Sequence, residues 1–351
     1  MPSPPRRILV TRIDNLGDVV MVLPALRWLK SQYSGLQVEM VVRDYARALA
    51  QACPWVDRVW SPEEVTQAVA AREPAPDAVF HLQSTRQLLS DCVRWGIPWR
   101  VGNLLRSAHW LRCNRWVMFS KRRMREHESA LSWRYFAALF DRAPSTLQWA
   151  ALLQEKGWLS LTAAPPSPAL SAPARLQKLR VLVHPGSNGN GRQWPMQHFA
   201  ELVQALQAAG HAVSVTGAAA ERAALAPWLA QLPPGVDDLV GQLSLPRFME
   251  VIAGADCLVA SGTGPLHLAG ACGIHAVGIF PPLLPIGALR WRPIGPRVTT
   301  LQTPLPGLCE KACSNLNCTC MAAVTVSDVL AAVLAPGIGT PPPALPAPRL
   351  V

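Results

Sequence analysis

The sequence predicts an α/β protein built from two doubly wound, Rossmann-like domains facing a central cleft. Three observations carry that expectation. Short apolar runs of strand length alternate with amphipathic stretches of helix length along most of the 351 residues. The alternation stops at a Pro/Ala/Ser-rich stretch over 162–174, which reads as an extended linker, and then restarts. The two halves also open alike: Arg7-Ile-Leu-Val and Arg180-Val-Leu-Val each lead into a polar loop and then a helix. Repeated βα units of this kind close into parallel sheets, and such sheets bind ligands beyond the carboxyl ends of their strands. The division expected is an N-terminal domain over 1–161, a linker over 162–175, a C-terminal domain over 176–335 and a disordered Pro-rich tail over 336–351.

In the first half the strands are expected at Arg7–Thr11, Gln37–Val42, Arg58–Trp60, Ala78–Leu82 and Arg100–Gly102. Helical spacing fills the gaps, as in Val19–Gln32, where Leu23, Leu26 and Leu29 share a face, and in Arg43–Ala52. In the second half a strand at Val181–His184 precedes a Gly-rich loop, Pro185–Arg192, and a helix over Pro195–Ala209. A strand at His211–Thr216, a helix over Ala218–Gln231 and a strand at Cys257–Ala260 come next. The last expected pair is a helix over Thr263–Cys272 and a strand at Ala276–Phe280.

Half of the residues are apolar, yet no run of 18 is uninterrupted, so no membrane-spanning helix is expected. The first apolar run stops at Thr11-Arg12, too short for the core of a signal peptide, and a cytoplasmic location is expected. Nine cysteines fit that compartment as reduced thiols. The net charge is +11, and it is concentrated: residues 94–125 hold nine Arg or Lys and no Asp or Glu. Trp95, Trp99, Trp110 and Trp116 are interleaved with these cations. Such a segment is either a solvated basic face or a surface for an anionic partner: nucleic acid, a phosphorylated saccharide or an acidic membrane.

Three stretches are candidates for chemistry. In Pro185-Gly-Ser-Asn-Gly-Asn-Gly-Arg-Gln-Trp-Pro195 the glycines let backbone N–H groups approach an anion, and Arg192 offers a bidentate donor. The stretch approaches a nucleotide-hydrolysing P-loop only superficially, since Arg192 stands where Lys is required and Gln193 where Ser or Thr must hold magnesium. In Ser261-Gly-Thr-Gly-Pro-Leu-His267, Pro265 suits a first helical turn, which puts Thr263 and Gly264 at a helix N-terminus able to hold a phosphate. His267 would reach the same anion, or be satisfied by local backbone. Two anion loops in one domain suit a nucleotide diphosphate, and Glu221 is placed to accept from a ribose diol or to act as a cap. There is no Asp-x-Asp pair, so Arg192 and backbone donors would neutralise the diphosphate without a divalent metal.

The third stretch, Thr11-Arg-Ile-Asp-Asn-Leu-Gly-Asp18, sets two acids between a buried strand and a helix. Asp18 would cap the helix, or act as a base on an acceptor hydroxyl while easing the charge of an oxocarbenium-like state. Asp14 is the second choice. Four cysteines, Cys309, Cys313, Cys318 and Cys320, lie within twelve residues at a spacing unlike a standard zinc pair, and read as a structural metal site or as reduced thiols.

The stretches Ile8–Lys30, Val183–Val203, Val215–Ala223 and Leu239–Pro282 resemble the heptosyltransferases of glycosyltransferase family 9, with the motifs in order over about 7–335. The resemblance implies a GT-B fold and inverting, metal-independent transfer of heptose from ADP-heptose to a lipopolysaccharide inner-core acceptor. It implies Asp18 as the base. It also implies donor binding by Arg192, Glu221, Thr263, Gly264 and His267, and Ser187 and Pro265 of the same two loops are candidate donor contacts beside them. The first domain would receive an anionic glycolipid at the inner face of the cytoplasmic membrane, with Asp14, Arg112, Arg115, Lys121 and Arg122 as candidate contacts. No cofactor and no nucleic acid are expected. The chain departs from the usual pattern in Arg192, where members usually have Lys, and in Ser261-Gly262, where they usually carry an acid. Another nucleotide sugar, a protein or secondary-metabolite acceptor, and a non-catalytic anionic-glycan or nucleic-acid binder are the alternatives.

Overall fold

The computed structural model describes residues 4–120, 125–161, 178–187, 189, 191–303 and 318–335. These divide into two compact units. The first holds the described residues up to Leu153 together with Trp158–Ser160, and the second holds Gln154–Gly157 and the described residues from Leu161 on.

The first unit runs β1 (Arg7–Arg12), α1 (Leu16–Val20), α2 (Leu23–Gln32), β2 (Gln37–Val41), α3 (Arg47–Gln51), β3 (Arg58–Trp60), α4 (Pro62–Ala70), β4 (Ala78–Gln83), α5 (Arg86–Arg94), β5 (Trp99–Asn103), β6 (Arg115–Val117), α6 (Glu128–Phe136) and α7 (Thr146–Leu152). The second runs β7 (Arg180–His184), α8 (Met196–Ala208), β8 (Ala212–Val215), α9 (Arg222–Leu229), β9 (Asp237–Asp238), α10 (Leu245–Ala253), β10 (Cys257–Ser261), α11 (Gly264–Cys272), β11 (His275–Ile279), α12 (Ala288–Trp291), β12 (Val298–Leu301), α13 (Thr319–Ala322) and α14 (Val326–Leu334). Each unit contains one six-stranded sheet, β3-β2-β1-β4-β5-β6 in the first and β12-β11-β10-β7-β8-β9 in the second. Every pairing is parallel. Numbered within its own unit, each sheet has the same order, and each reverses its winding direction once: between β1 and β4, and between β7 and β10. Those two points are where the fold leaves room for ligands.

The strands are apolar because both faces of a parallel sheet are covered by helices. Ile8, Leu9 and Val10 of β1 and Leu258, Val259 and Ala260 of β10 are all fully buried. The expected helix over Val19–Gln32 is instead two helices, with the break at Met21–Val22. Pro24, in the first turn of α2, has no N–H for the Val20 carbonyl, so a continuous helix would lose a bond and clash there. The helices expected at Arg43 and Ala218 begin as single 3-10 turns over Asp44–Ala46 and Ala219–Glu221. Sequence periodicity missed β6, β9 and β12, which have two to four residues each, too few to show a period. The expected linker and tail lie outside the described residues.

Helix α11 carries the second anion loop, and it is seated by a glycine contact. A Cβ on Gly270 would meet the Ile294 carbonyl oxygen at 2.2 Å, and one on Gly295 would meet the Gly270 oxygen at 2.1 Å. Both obstacles are backbone, so neither moves aside cheaply. Gly270→Ala is therefore expected to destabilise the protein by about 3 kcal/mol, read as a lowered urea midpoint. A variant of wild-type stability would show that α11 is free to shift.

Candidate functional site

The bend after β1 is organised by a residue that sequence reading passed over. Arg12 ends the strand, and its side chain is 1% exposed. Its Nη2 donates to Asp18 Oδ1 and lies 3.2 Å from Glu128 Oε1. Its Nε lies 3.1 Å from Asp14 Oδ1 and also donates to the Asp18 carbonyl at 3.1 Å. One buried guanidinium thus serves three carboxylates, which is what its planar fork of donors permits. Burial alone would lower the Arg12 pKa, but Asp14, Asp18 and Glu128 together outweigh it and hold the guanidinium more firmly protonated than usual.

The capping role considered for Asp18 is not what the structure shows. The residue before the helix is Asn15, Asp18 lies within the first turn, and its carboxylate is turned to Arg12 rather than to free backbone N–H groups. Its Oδ2 has no hydrogen-bond partner among the described residues, and the side chain is 14% exposed. Glu128 comes from the first turn of α6, 116 positions from Arg12 in the chain, and is buried. No local pattern announces it. Across the switch point, at the end of β4, His81 Nδ1 is 2.8 Å from Ser84 Oγ, which is 2.6 Å from Thr11 Oγ1. Burial pushes His81 down to about 3, so it is a neutral member of that chain. A cavity of about 530 Å³, lined by Ile13, Arg43, Asp44, Thr66, Thr85 and Gln87 among others, opens beside the same bend.

Arg112 and Arg115 are not brought to these carboxylates. Arg112 Nε donates to Ser90 Oγ at 2.9 Å, and the Arg115 guanidinium lies over the Trp99 ring at 4.2 Å. Arg115 belongs to the edge strand β6, three strands from β1, or about 14 Å at ordinary strand spacing. Lys121 and Arg122 lie outside the described residues.

At the second unit's switch point the two glycine-bearing loops meet. A Cβ on Gly191 would lie 3.7 Å from the Gly262 carbonyl oxygen. The loop after β7 is fixed at its far end by Trp194, fully buried, whose indole donates to the Val324 carbonyl at 2.8 Å. The Trp194 amide donates to Ser261 Oγ at 3.1 Å, so Arg192 is held two residues from an anchor on the end of β10. At Gly186 a Cβ would fall 2.2 Å from the Glu221 carboxylate, so only glycine lets that acid pack against the loop. Glu221 Oε2 also accepts from the Ala218 amide at 2.9 Å; the local cap and the place in the site coexist. His184, the last residue of β7, is buried beneath with its Nδ1 3.0 Å from Thr216 Oγ1. Burial pushes it down to about 4 against the opposing pull of Glu221.

Thr263 is the N-cap of α11 with Gly264 and Pro265 opening the helix, as the spacing implied. Its hydroxyl and that of Ser187 are buried without a hydrogen-bond partner among the described residues. Buried hydroxyls of this kind are costly unless a ligand takes them up. His267, 3% exposed, sits in the first turns of α11 with its ring 6.0 Å from that of Trp291. Arg290, buried on α12 beside Trp291, adds a cation that no motif had indicated. Cys318 and Cys320 are buried in the second unit's core, while Cys309 and Cys313 lie outside the described residues.

Arg12→Gln removes the buried guanidinium that Asp14, Asp18 and Glu128 share and is expected to cost about 3–5 kcal/mol by chemical denaturation. The loss should shrink in a Glu128→Gln background, where the guanidinium has one carboxylate fewer to hold. An equal loss in both backgrounds would disprove the charge cluster.

The family model for glycosyltransferase family 9 (heptosyltransferase) matches residues 77–318. A Haemophilus influenzae protein whose name goes no further than glycosyltransferase is 26% identical over 305 residues, covering 82% of this chain and 86% of its own. Lipopolysaccharide heptosyltransferase 2 of Salmonella typhimurium is 23% identical over 310 residues, covering 80% and 84%. Among solved structures, Escherichia coli ADP-heptose lipopolysaccharide heptosyltransferase II superposes with a TM-score of 0.72 at 20% identity, covering 94% of this chain and 98% of that one. That likeness shows the GT-B fold expected from the two doubly wound halves. The family model spans well over half of the chain, so this protein belongs to glycosyltransferase family 9, the heptosyltransferase family.

Proposed function

We propose that this glycosyltransferase moves heptose from ADP-heptose to a lipopolysaccharide inner-core acceptor, with inversion and without a divalent metal. The reading is supported by the division of chemistry between the two switch points. One collects anion donors: the α11 N-terminus, Arg192, and the buried hydroxyls of Ser187 and Thr263. The other collects carboxylates around Arg12. A sugar diphosphate and a hydroxyl acceptor need those two kinds of group.

In the proposed reaction the acceptor hydroxyl attacks the anomeric carbon on the face opposite the diphosphate. The bond from that carbon to the phosphate oxygen breaks, and the new glycosidic bond forms on the opposite side. Asp18 takes the hydroxyl proton through Oδ2 while Arg12 keeps Oδ1 engaged, so the base presents one fixed oxygen. Charge developing on the departing ADP is met by Arg192, by amides at Thr263 and Gly264, and by the two hydroxyls. His267 and Pro265 shape that end of the site, and Glu221 accepts from the ribose. The Arg192 fork and fixed amides supply the positive potential that a bound magnesium gives elsewhere. Asp14 is proposed to meet the acceptor beside Asp18. The acidic acceptor and an inner-leaflet, cytoplasmic location fit the basic 94–125 segment. The described residues contain no helix long and apolar enough to cross a membrane.

The test is incubation with ADP-heptose and a panel of truncated core lipids, scored by a mass gain of one heptose. Failure with every lipid while another nucleotide sugar is consumed would overturn the donor. Asp18→Asn is expected to lower kcat by a factor on the order of 10²–10⁴ while the calorimetric affinity for ADP stays unchanged. Arg192→Ala should do the reverse in emphasis, weakening ADP binding by about tenfold or more.

A further inference from the structure

Eleven large apolar side chains are exposed among the described residues, and six of them lie within 104–118: Leu104, Leu105, Trp110, Leu111, Trp116 and Met118. Leu111 is 92% exposed and Met118 60%. A random scatter of exposed leucines needs no explanation, but a concentration in fifteen residues does.

The backbone segments that carry these side chains are tied together. The Trp110 indole donates to the Leu104 carbonyl at 2.7 Å, and the Leu104 amide donates to the Val117 carbonyl at 2.9 Å. That brings the turn after β5 against the edge strand β6. The base is rigid: Asn103 Nδ2 donates to the Phe119 carbonyl at 2.9 Å, and the Asn103 amide donates to His109 Nδ1 at 3.0 Å. His109, Cys113, Val117 and Phe119 are buried beneath. The exposed tips are therefore held out by a packed floor.

The charge around the tips identifies what covers them. Arg100, Arg106, Arg112 and Arg115 belong to the same stretch of chain, and none pairs with a carboxylate among the described residues. Their partners are carbonyls, a serine, a glutamine and the Trp99 ring. No Asp or Glu occurs between 94 and 125. A second copy docked about a two-fold axis would set these cations against themselves. A nucleic acid would use the arginines but not Leu105, Leu111 and Met118. We infer that residues 104–118 are a membrane-docking surface, with Leu105, Trp110, Leu111 and Met118 entering the headgroup boundary of an anionic bilayer and the four arginines contacting its phosphates. Trp at such a boundary keeps its ring in the apolar layer and its N–H bonded, as in the contact to Leu104. This deepens the inner-leaflet aspect of the proposed function and rests on that reading.

The test is vesicle flotation of the full chain with phosphatidylcholine alone and with about 30 mol% phosphatidylglycerol. The wild type is expected to float with the anionic vesicles only, and less at high salt. The triple variant Leu105→Ser/Leu111→Ser/Met118→Ser alters exposed tips, so it should keep the wild-type melting temperature and lose binding by about tenfold or more. Asp18→Asn should float like the wild type. Wild-type flotation by the triple variant, or no binding to anionic vesicles, would overturn the inference. So would a wild-type dimer in solution that the triple variant dissociates while vesicle binding persists. Flotation does not depend on turnover, so vesicle binding that survives failure of every heptose transfer assay would sink the function reading and leave the docking surface standing.

Discussion

A parallel sheet wound in both directions must separate neighbouring loops where the winding reverses, and the candidate site of this chain follows from that constraint. At such a point the crossover connections leave on opposite faces, so no helix covers the strand ends. Backbone and side-chain polar groups there are left to be satisfied by something other than the core. The chain places its least ordinary residues at both: acids and a buried guanidinium beside β1 and β4, glycines and a helix N-terminus beside β7 and β10.

The Arg12 cluster shows how such a site is kept both charged and fixed. Three carboxylates close together repel one another, and burial penalises each. The Arg12 guanidinium, itself buried, counters both effects and fixes where Asp18 points. The cluster ties the end of β1 to α1 and α6, so the same contact serves stability and geometry. In the second unit the equivalent task falls to Trp194, which clamps the loop carrying Arg192 to β10 and to the chain before α14. Both devices use a large buried side chain to hold a smaller polar group in place.

Much of this was legible in the chain. The N-terminus of α11 follows from Thr263, Gly264 and Pro265, because cap and first-turn preferences are local. Asp18 and Arg192 stand out as charged residues in otherwise glycine-rich or apolar surroundings. What was misread was also local: the break before Pro24 is a proline effect that helical periodicity hides. Glu128 and Arg290 could not have been found, since each is an ordinary residue in sequence and matters only because of what it packs against.

The order of elements, the doubling of the fold and the chemistry of the two loops were set by the sequence itself, through periodicity and the fixed preferences of Gly, Pro and Thr. Only the tertiary structure decided that Arg12 gathers Asp14, Asp18 and Glu128, that Glu221 rests on Gly186, and that Arg112 and Arg115 belong to an outlying edge rather than to the carboxylates. The physical reason is range. Capping and turn chemistry act over three or four residues, whereas a buried charge finds its partner across more than a hundred, by a packing of strands and helices that no local pattern records.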